Sequence, residues 1–204
     1  MSIFISIEGP EGSGKSTIIN EIKAVLSKDY DVVTTREPGG IKISEDIRKI
    51  ILDDASAMDY RTEALLFAAS RRQHLVEKVL PALAAGKIVL CDRFIDSSLA
   101  YQGYARGIGV EAIRSINEFA IEGKYPDLTL YLSVAPEVGL SRISQNARET
   151  NRLDKEALTF HQRVVEGYEA LLKAHPERIQ RIDATQSVEE VLQQCLQAIY
   201  QRLK

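Results

Sequence analysis

The 204-residue chain is 45% apolar and 27% charged, which is enough to bury one core and excludes a disordered, collagen-like or low-complexity polypeptide. Lys and Arg number 26 against 29 Asp and Glu, leaving a formal charge of −3. Proteins that track nucleic-acid backbone are usually far more basic, so no nucleic-acid partner is expected, and any bound anion must be gripped by a local cluster.

The first apolar run, Ile3 to Ile7, is followed at once by glycines and then by Ile18, Ile19, Ile22, Val25 and Leu26 at helical spacing. Strand, glycine loop and helix are therefore expected in that order. Asp31 to Thr35 is a second strand, Ser44 to Leu52 a short helix, and Thr62 to Leu83 a long helix that Pro81 should kink or end. Lys87 to Cys91 is a third strand, Val110 to Ile121 a helix and Asp127 to Val134 a fourth strand. Pro136 opens a helix reaching about Asn146. The polar stretch Ser144 to Lys155 has no apolar period and reads as a mobile loop. Helix resumes from Ala157 to Ala174, Arg178 to Ile182 gives a fifth strand, and Ser187 with Glu190 forms a capping box for the last helix. Strands alternating with helices, with no linker or repeat, predict a single three-layer α/β domain over residues 1–204 with a parallel sheet flanked by helices.

No apolar run approaches the ~20 residues that cross a bilayer, so no membrane partner is expected. The N-terminus, MSIFISIEGPEGSGKS, has no basic leader or A-x-A-like cleavage site and does not read as a secretion signal. Cys91 and Cys195 lie in apolar stretches and read as free thiols of a reducing compartment, so a cytoplasmic protein is expected. His74, His161 and His175 make no metal-ligand spacing.

Gly9-Pro10-Glu11-Gly12-Ser13-Gly14-Lys15-Ser16 fits G-x-x-x-x-G-K-[ST] between a strand and a helix. Such a loop turns backbone N–H groups onto phosphate oxygens at a helix N-terminus. Lys15 is expected on the β/γ-phosphates and Ser16 on magnesium, with Thr17 beside them in the ATP site. No N-K-x-D guanine reader occurs, and the third strand ends in Asp92-Arg93 rather than Asp-Glu. An Asp there suits a magnesium-water or general-base role, and the adjacent Arg suits a phosphate clamp. Phe67 and Arg71 share a helix face, and Asp96 to Tyr104 is rich in hydroxyls, an amide and tyrosines, a set suited to reading a flat base.

The segments GPEGSGKST, TREPGG, LFAASRRQH and CDRFIDSSLAYQG, with the arginine-bearing loop near residue 150, resemble the bacterial thymidylate kinases from residue 3 to about residue 170. The resemblance implies a P-loop kinase fold with a five-stranded parallel sheet, a homodimer, and transfer of the γ-phosphoryl group of ATP, with magnesium, to dTMP. It implies that Phe67 stacks on thymine, Arg71 bonds its carbonyl edge, and Gln102 with Ser98 reads the remaining polar edge. Glu37, Ser97 and Tyr101 belong to the same acceptor site. Arg36 and Arg93 would hold the acceptor phosphate, with Arg48 a further candidate. Asp92 would organise magnesium or its water, and Glu11 would approach the 3′-hydroxyl. Arg148 and Arg152, in a lid at about 144–155, and Arg142 just before it are expected to bring cations to the transferring phosphoryl group.

Two departures stand out. The loop after TREPGG reads Ile41-Lys42-Ile43-Ser44 where the family usually has a proline and a small residue, and position 12 is Gly where the eukaryotic branch carries an arginine. The competing readings are a kinase of another pyrimidine nucleotide and a P-loop protein that hydrolyses nucleotide slowly as a switch.

Overall fold

The computed structural model describes residues 2–55, 57–145 and 152–203. Five strands, β1 (Ile3–Glu8), β2 (Val32–Arg36), β3 (Ile88–Asp92), β4 (Leu128–Ser133) and β5 (Ile179–Asp183), form one sheet in the order β2-β3-β1-β4-β5. Every pairing is parallel, with Ile3 opposite Ile88 at the start of the β1–β3 pair and Ile7 opposite Asp92 at its end. Strands covered on both faces read as near-continuous apolar runs, and β1 is buried at all six positions. Alternate side chains enter opposite cores. Phe4, Val89 and Tyr131 pack with α3 (Tyr60–His74), α6 (Val110–Ile121) and α8 (Leu158–Ala174). Ile5, Leu90 and Leu130 pack with α1 (Lys15–Leu26) and α9 (Val188–Arg202) on the other side. The expected three-layer architecture is the one observed.

The remaining elements are α2 (Lys42–Leu52), α4 (Leu80–Ala84), α5 (Ile95–Ser98) and α7 (Pro136–Gln145). Helix α6 runs over the expected residues, and the capping box of α9 is closed in both directions between Ser187 and Glu190. Two expectations need correction, and one stretch takes a form the sequence did not suggest. The long helix ends at His74 and passes through a π-turn, Leu75–Val79, into α4, so the run survives Pro81. The proline stands in the first turn of α4, where its missing N–H needs no partner, while the Leu80 N–H reaches the Leu75 carbonyl across the wider turn. The hydroxyl-rich stretch after Arg93, read only for its side chains, is helical: α5 continues into a second π segment, Leu99–Ala105. Ser144 and Gln145 belong to α7 rather than to a loop, and 152–155 form a turn in which Leu153 and Asp154 are buried. Residues 146–151 lie outside the described residues.

The unusual segment after Gly40 is a helix start. Ile41 is extended, α2 begins at Lys42, and the fully buried Ser44 hydroxyl donates to the Ser70 carbonyl at 2.8 Å. On the same face of the sheet, the fully buried Asp96 is held by both nitrogens of Arg178, at 2.6 and 2.8 Å, and by the Thr129 hydroxyl at 3.0 Å. Two opposite charges can be sequestered there because nearly every lone pair of the carboxylate has a donor.

Helix α7 meets the glycine loop backbone to backbone. A Cβ on Gly139 would lie 2.2 Å from the Glu11 carbonyl oxygen, and one on Gly12, whose φ is +71°, would lie 2.0 Å from the Gly139 carbonyl oxygen. Neither neighbour is a flexible side chain that can swing aside. Gly139→Ala should therefore lower the unfolding free energy by about 1–3 kcal/mol, the range for overpacking a tight contact. Denaturant titration checks this, and a midpoint equal to wild type would show that the two backbones are not in contact.

Candidate active site

The glycine loop, both catalytic candidates after β3 and the loops after β2 and β5 all emerge at the carboxyl ends of the strands, where open parallel sheets place their ligand crevices. They enclose a cleft of about 790 Å³. Gly14 takes φ +88° as the N-cap of α1, a backbone setting that lets the loop turn its amides toward the helix end. Lys15 is buried, and its Nζ donates to the carbonyls of Gly9 at 3.1 Å and Pro10 at 3.0 Å and to the Ser13 hydroxyl at 3.3 Å. Burial, reinforced by the nearby Arg93 cation, pushes its pKa down to about 8. The Ser16 hydroxyl bonds Asp92 Oδ2 at 3.2 Å, whereas Asp92 Oδ1 is buried with no hydrogen-bond partner among the described residues. Ser13, Ser16 and Thr17 line the cleft; Gly9 and Pro10 serve through the carbonyls that hold Lys15.

Arg93 leaves β3 with φ +67°, a left-handed setting that strains a residue bearing a side chain and concentrates at functional positions. Its guanidinium spans the cleft floor. NH1 donates to the Gly9 carbonyl at 3.0 Å and the Ser97 hydroxyl at 3.1 Å, and NH2 donates to Glu11 at 2.7 Å and the Tyr101 hydroxyl at 3.1 Å. Beneath it, Glu8 is fully buried at the end of β1. Glu8 accepts from the Phe94 N–H at 2.6 Å, the Ser97 hydroxyl at 2.5 Å and the Tyr168 hydroxyl at 2.9 Å. Burial and the nearby Asp96 push its pKa up to about 7.

On the opposite wall, α3 sets Phe67 and Arg71 one turn apart on the cleft. Arg71 is 1% exposed, and four of its five N–H bonds are taken. Nε donates to Glu37 at 2.7 Å, NH1 to Ser98 at 3.0 Å and to Asn117, and NH2 to the Phe94 carbonyl at 3.0 Å. Glu37 is buried too and accepts from His74 Nδ1 at 2.8 Å when that nitrogen carries the proton. Gln102 is buried on the cleft wall, its Nε2 donating to Glu63 at 2.9 Å. At the rim, Arg36 is paired with Glu45 at 2.9 Å and Arg48 donates to the Pro38 carbonyl at 3.0 Å. Burial, with the neighbouring Arg36 and Arg93 cations, lowers the hold of Arg48 on its proton. This crowding of cations suits an anionic ligand.

The structure separates the three arginines expected at the lid. Arg142 lines the cleft, both terminal nitrogens donating to the Ala184 carbonyl at 3.1 Å. Arg148 lies outside the described residues. Arg152 is not on the cleft lining: its Nε donates to the Ile51 carbonyl at 3.0 Å and its NH2 to Glu63. Sequence reasoning missed Glu63, Asn117 and Glu45, and also Ala184, Gln186 and Val188, which close the cleft at the start of α9. The position of that last group after a fifth parallel strand was the available signal. Glu63 and Asn117 gave none, because both sit in helices where polar residues usually face solvent. Among the described residues no group of three or more His, Cys, Asp and Glu side chains could by itself hold a metal.

Residues 7–195 match the family described as Thymidylate kinase. Two relatives named Thymidylate kinase, from Staphylococcus epidermidis strains RP62A and FDA PCI 1200, are each 57% identical over 204 residues, covering 100% of both chains. The crystal structure of thymidylate kinase from Ehrlichia chaffeensis is 34% identical, superposes with a TM-score of 0.80 and covers 98% of each chain.

The depressed pKa of Lys15 generates a test of the phosphate loop. At about pH 8.5 much of the free lysine is neutral, and polyphosphate charge restores the ammonium form, so binding takes up about half a proton or more. Calorimetric titration with ATP in buffers of different ionisation enthalpy should show this uptake, and should show it vanish at about pH 6.5, where the lysine is already charged. Lys15→Met should abolish the uptake; equal uptake in that variant would assign the proton elsewhere.

Proposed function

This chain belongs to the thymidylate kinase family, and we propose how its cleft phosphorylates dTMP. ATP gives its γ-phosphoryl group to the dTMP phosphate, leaving ADP and dTDP. The glycine loop and Lys15 hold the donor phosphates. Arg36, Arg48 and Arg93 supply the positive charge for the acceptor phosphate, and Glu11, tied to Arg93, faces the deoxyribose 3′-hydroxyl. Phe67 gives the base a flat apolar wall, and Ser97, Ser98, Tyr101 and Glu37 hold Arg71 and Arg93 in place.

Ser16 and Asp92 would hold magnesium with the nucleotide, directly or through water, and the unpartnered buried Oδ1 of Asp92 fits that role. Bound there, magnesium neutralises charge on the transferring phosphoryl group. Arg142 already lines the cleft; Arg148, and Arg152 of the turn at 152–155 on leaving Glu63, bring further cations within a single domain spanning 1–204. The buried free thiols support a cytoplasmic setting, and no helix among the described residues is long and apolar enough to cross a membrane.

The observation that carries the acceptor assignment is Arg71, locked so that one N–H remains for a ligand beside Phe67. That donor matches a pyrimidine carbonyl and meets the amino group of cytosine as donor against donor, a mismatch of about 1–3 kcal/mol or more. A kinase specific for a cytidine nucleotide is therefore not favoured, and a switch protein would leave the arginine cluster without an acceptor to hold. A coupled ADP-release assay should rank dTMP above dUMP and both far above dCMP. Equal rates with dCMP and dTMP would sink the assignment.

The homodimer rests on an apolar face. Ile50 of α2, Leu65 of α3 and Phe119 of α6 are 52%, 56% and 89% exposed on adjoining helices, and exposed apolar side chains gathered in this way mark association surfaces. Sedimentation velocity should find wild type as a dimer and the double variant Leu65→Glu, Phe119→Asp as a monomer. A wild-type monomer at micromolar concentration would remove the dimer.

A further inference from the structure

The stripe of α3 that carries Phe67 and Arg71 carries Glu63 one turn earlier, so three chemically different side chains recur every four residues toward the cleft wall. Glu63 is fully buried, and nothing above gives it a role in the reaction. Its carboxylate accepts from Gln102 Nε2 at 2.9 Å and faces two guanidiniums, that of Arg106 at 3.4 Å and that of Arg152. Arg106 is in turn held by Glu156 at 2.7 Å and lies over the Tyr60 and Phe160 rings, 4.6 and 4.5 Å from their centroids. The carboxylate is thus fixed from several sides.

A carboxylate paired with guanidiniums offers the amide only acceptor oxygens. The reverse orientation of Gln102 would press its carbonyl oxygen against Glu63, two acceptors with no proton between them. Gln102 therefore keeps its NH2 group on Glu63. Its Oε1 has no partner among the described residues, and the side chain lines the cleft alongside Arg71.

We propose that Glu63 is a positioning residue for base specificity: it fixes the amide of Gln102 so that the cleft offers an acceptor next to the donor of Arg71. An acceptor beside a donor matches a ring N–H beside a carbonyl, the edge that thymine and uracil present. Cytosine presents an unprotonated ring nitrogen beside an amino group, the reverse pattern, and both contacts fail together. The inference rests on the dTMP reading and says how the preference is built.

The test is Glu63→Gln, which keeps the size of the side chain but can donate or accept, so Gln102 is free to turn over. The ratio of kcat/KM for dTMP to that for dCMP should fall about tenfold, the loss expected when one buried hydrogen bond is no longer enforced. Glu156→Gln loosens the same ion cluster without touching Gln102 and should keep the wild-type ratio. A Glu63→Gln ratio within threefold of wild type overturns the proposal, as does an equal fall in Glu156→Gln; a larger fall confined to Glu63 supports it. Should Glu63→Gln fail to fold, Glu63→Asp keeps the charge, withdraws the carboxylate by one methylene and is judged by the same threshold. A wild-type enzyme without preference for dTMP would instead fail the acceptor reading itself.

Discussion

Burying the Glu8 carboxyl at the end of β1 obliges donors from two other segments to converge on it, because a polar group removed from water must be satisfied within the protein. The Phe94 amide and the Ser97 hydroxyl come from the start of α5 just after β3, and the Tyr168 hydroxyl comes from α8. That convergence fixes the turn on which Arg93 sits in its left-handed conformation. Arg93 then reaches back to Gly9 and Glu11, so the strand that launches the phosphate loop also sets the far side of the cleft. The proposed donor and acceptor ends share one buried anchor, and in-line phosphoryl transfer demands such fixed separation.

The two ends are built from different materials. The proposed donor end is mostly backbone, turned by glycines and closed by a lysine resting on carbonyls. The proposed acceptor end is mostly buried side chains that brace one another: Glu37 holds Arg71 and His74, Asn117 and Ser98 hold Arg71, and Glu63 holds Gln102. Phosphates are alike in every nucleotide, and amides suffice for them. A base has to be told from other bases, and only side chains whose rotamers are locked can present an unambiguous pattern of donors and acceptors.

Local signals were legible in the sequence. The glycine loop between β1 and α1, α6 and the capping box of α9 each depend on residues within a few positions of one another, and the structure forms all three where they are expected. The stripe of Phe67 and Arg71 was legible for the same reason. The two π segments were not, because a single extra residue in a turn leaves no mark on apolar periodicity. Glu63 was illegible for a different reason. A glutamate near the start of a helix ordinarily faces water, and its partners Gln102 and Arg152 are 39 and 89 residues away. Arg152 was read as a lid cation from its polar neighbourhood, yet the buried acid that holds it could not be inferred without that long-range pairing.

The near-contact of Gly12 and Gly139 also bears on where positive charge can enter this cleft. No side chain fits at position 12 while α7 lies against the loop, so the phosphate loop cannot carry a cation of its own there. The same approach brings in the helix surface one turn on, where Arg142 follows Gly139 at i+3 and lines the cleft. Exclusion at one position and delivery at the other are a single geometric fact. Moving the charge onto the loop would take at least two coordinated changes, a side chain at position 12 and a retreat of α7, and the retreat would carry Arg142 away. A lineage that starts from this packing is thus held to recruiting any cation beyond Lys15 from outside the loop.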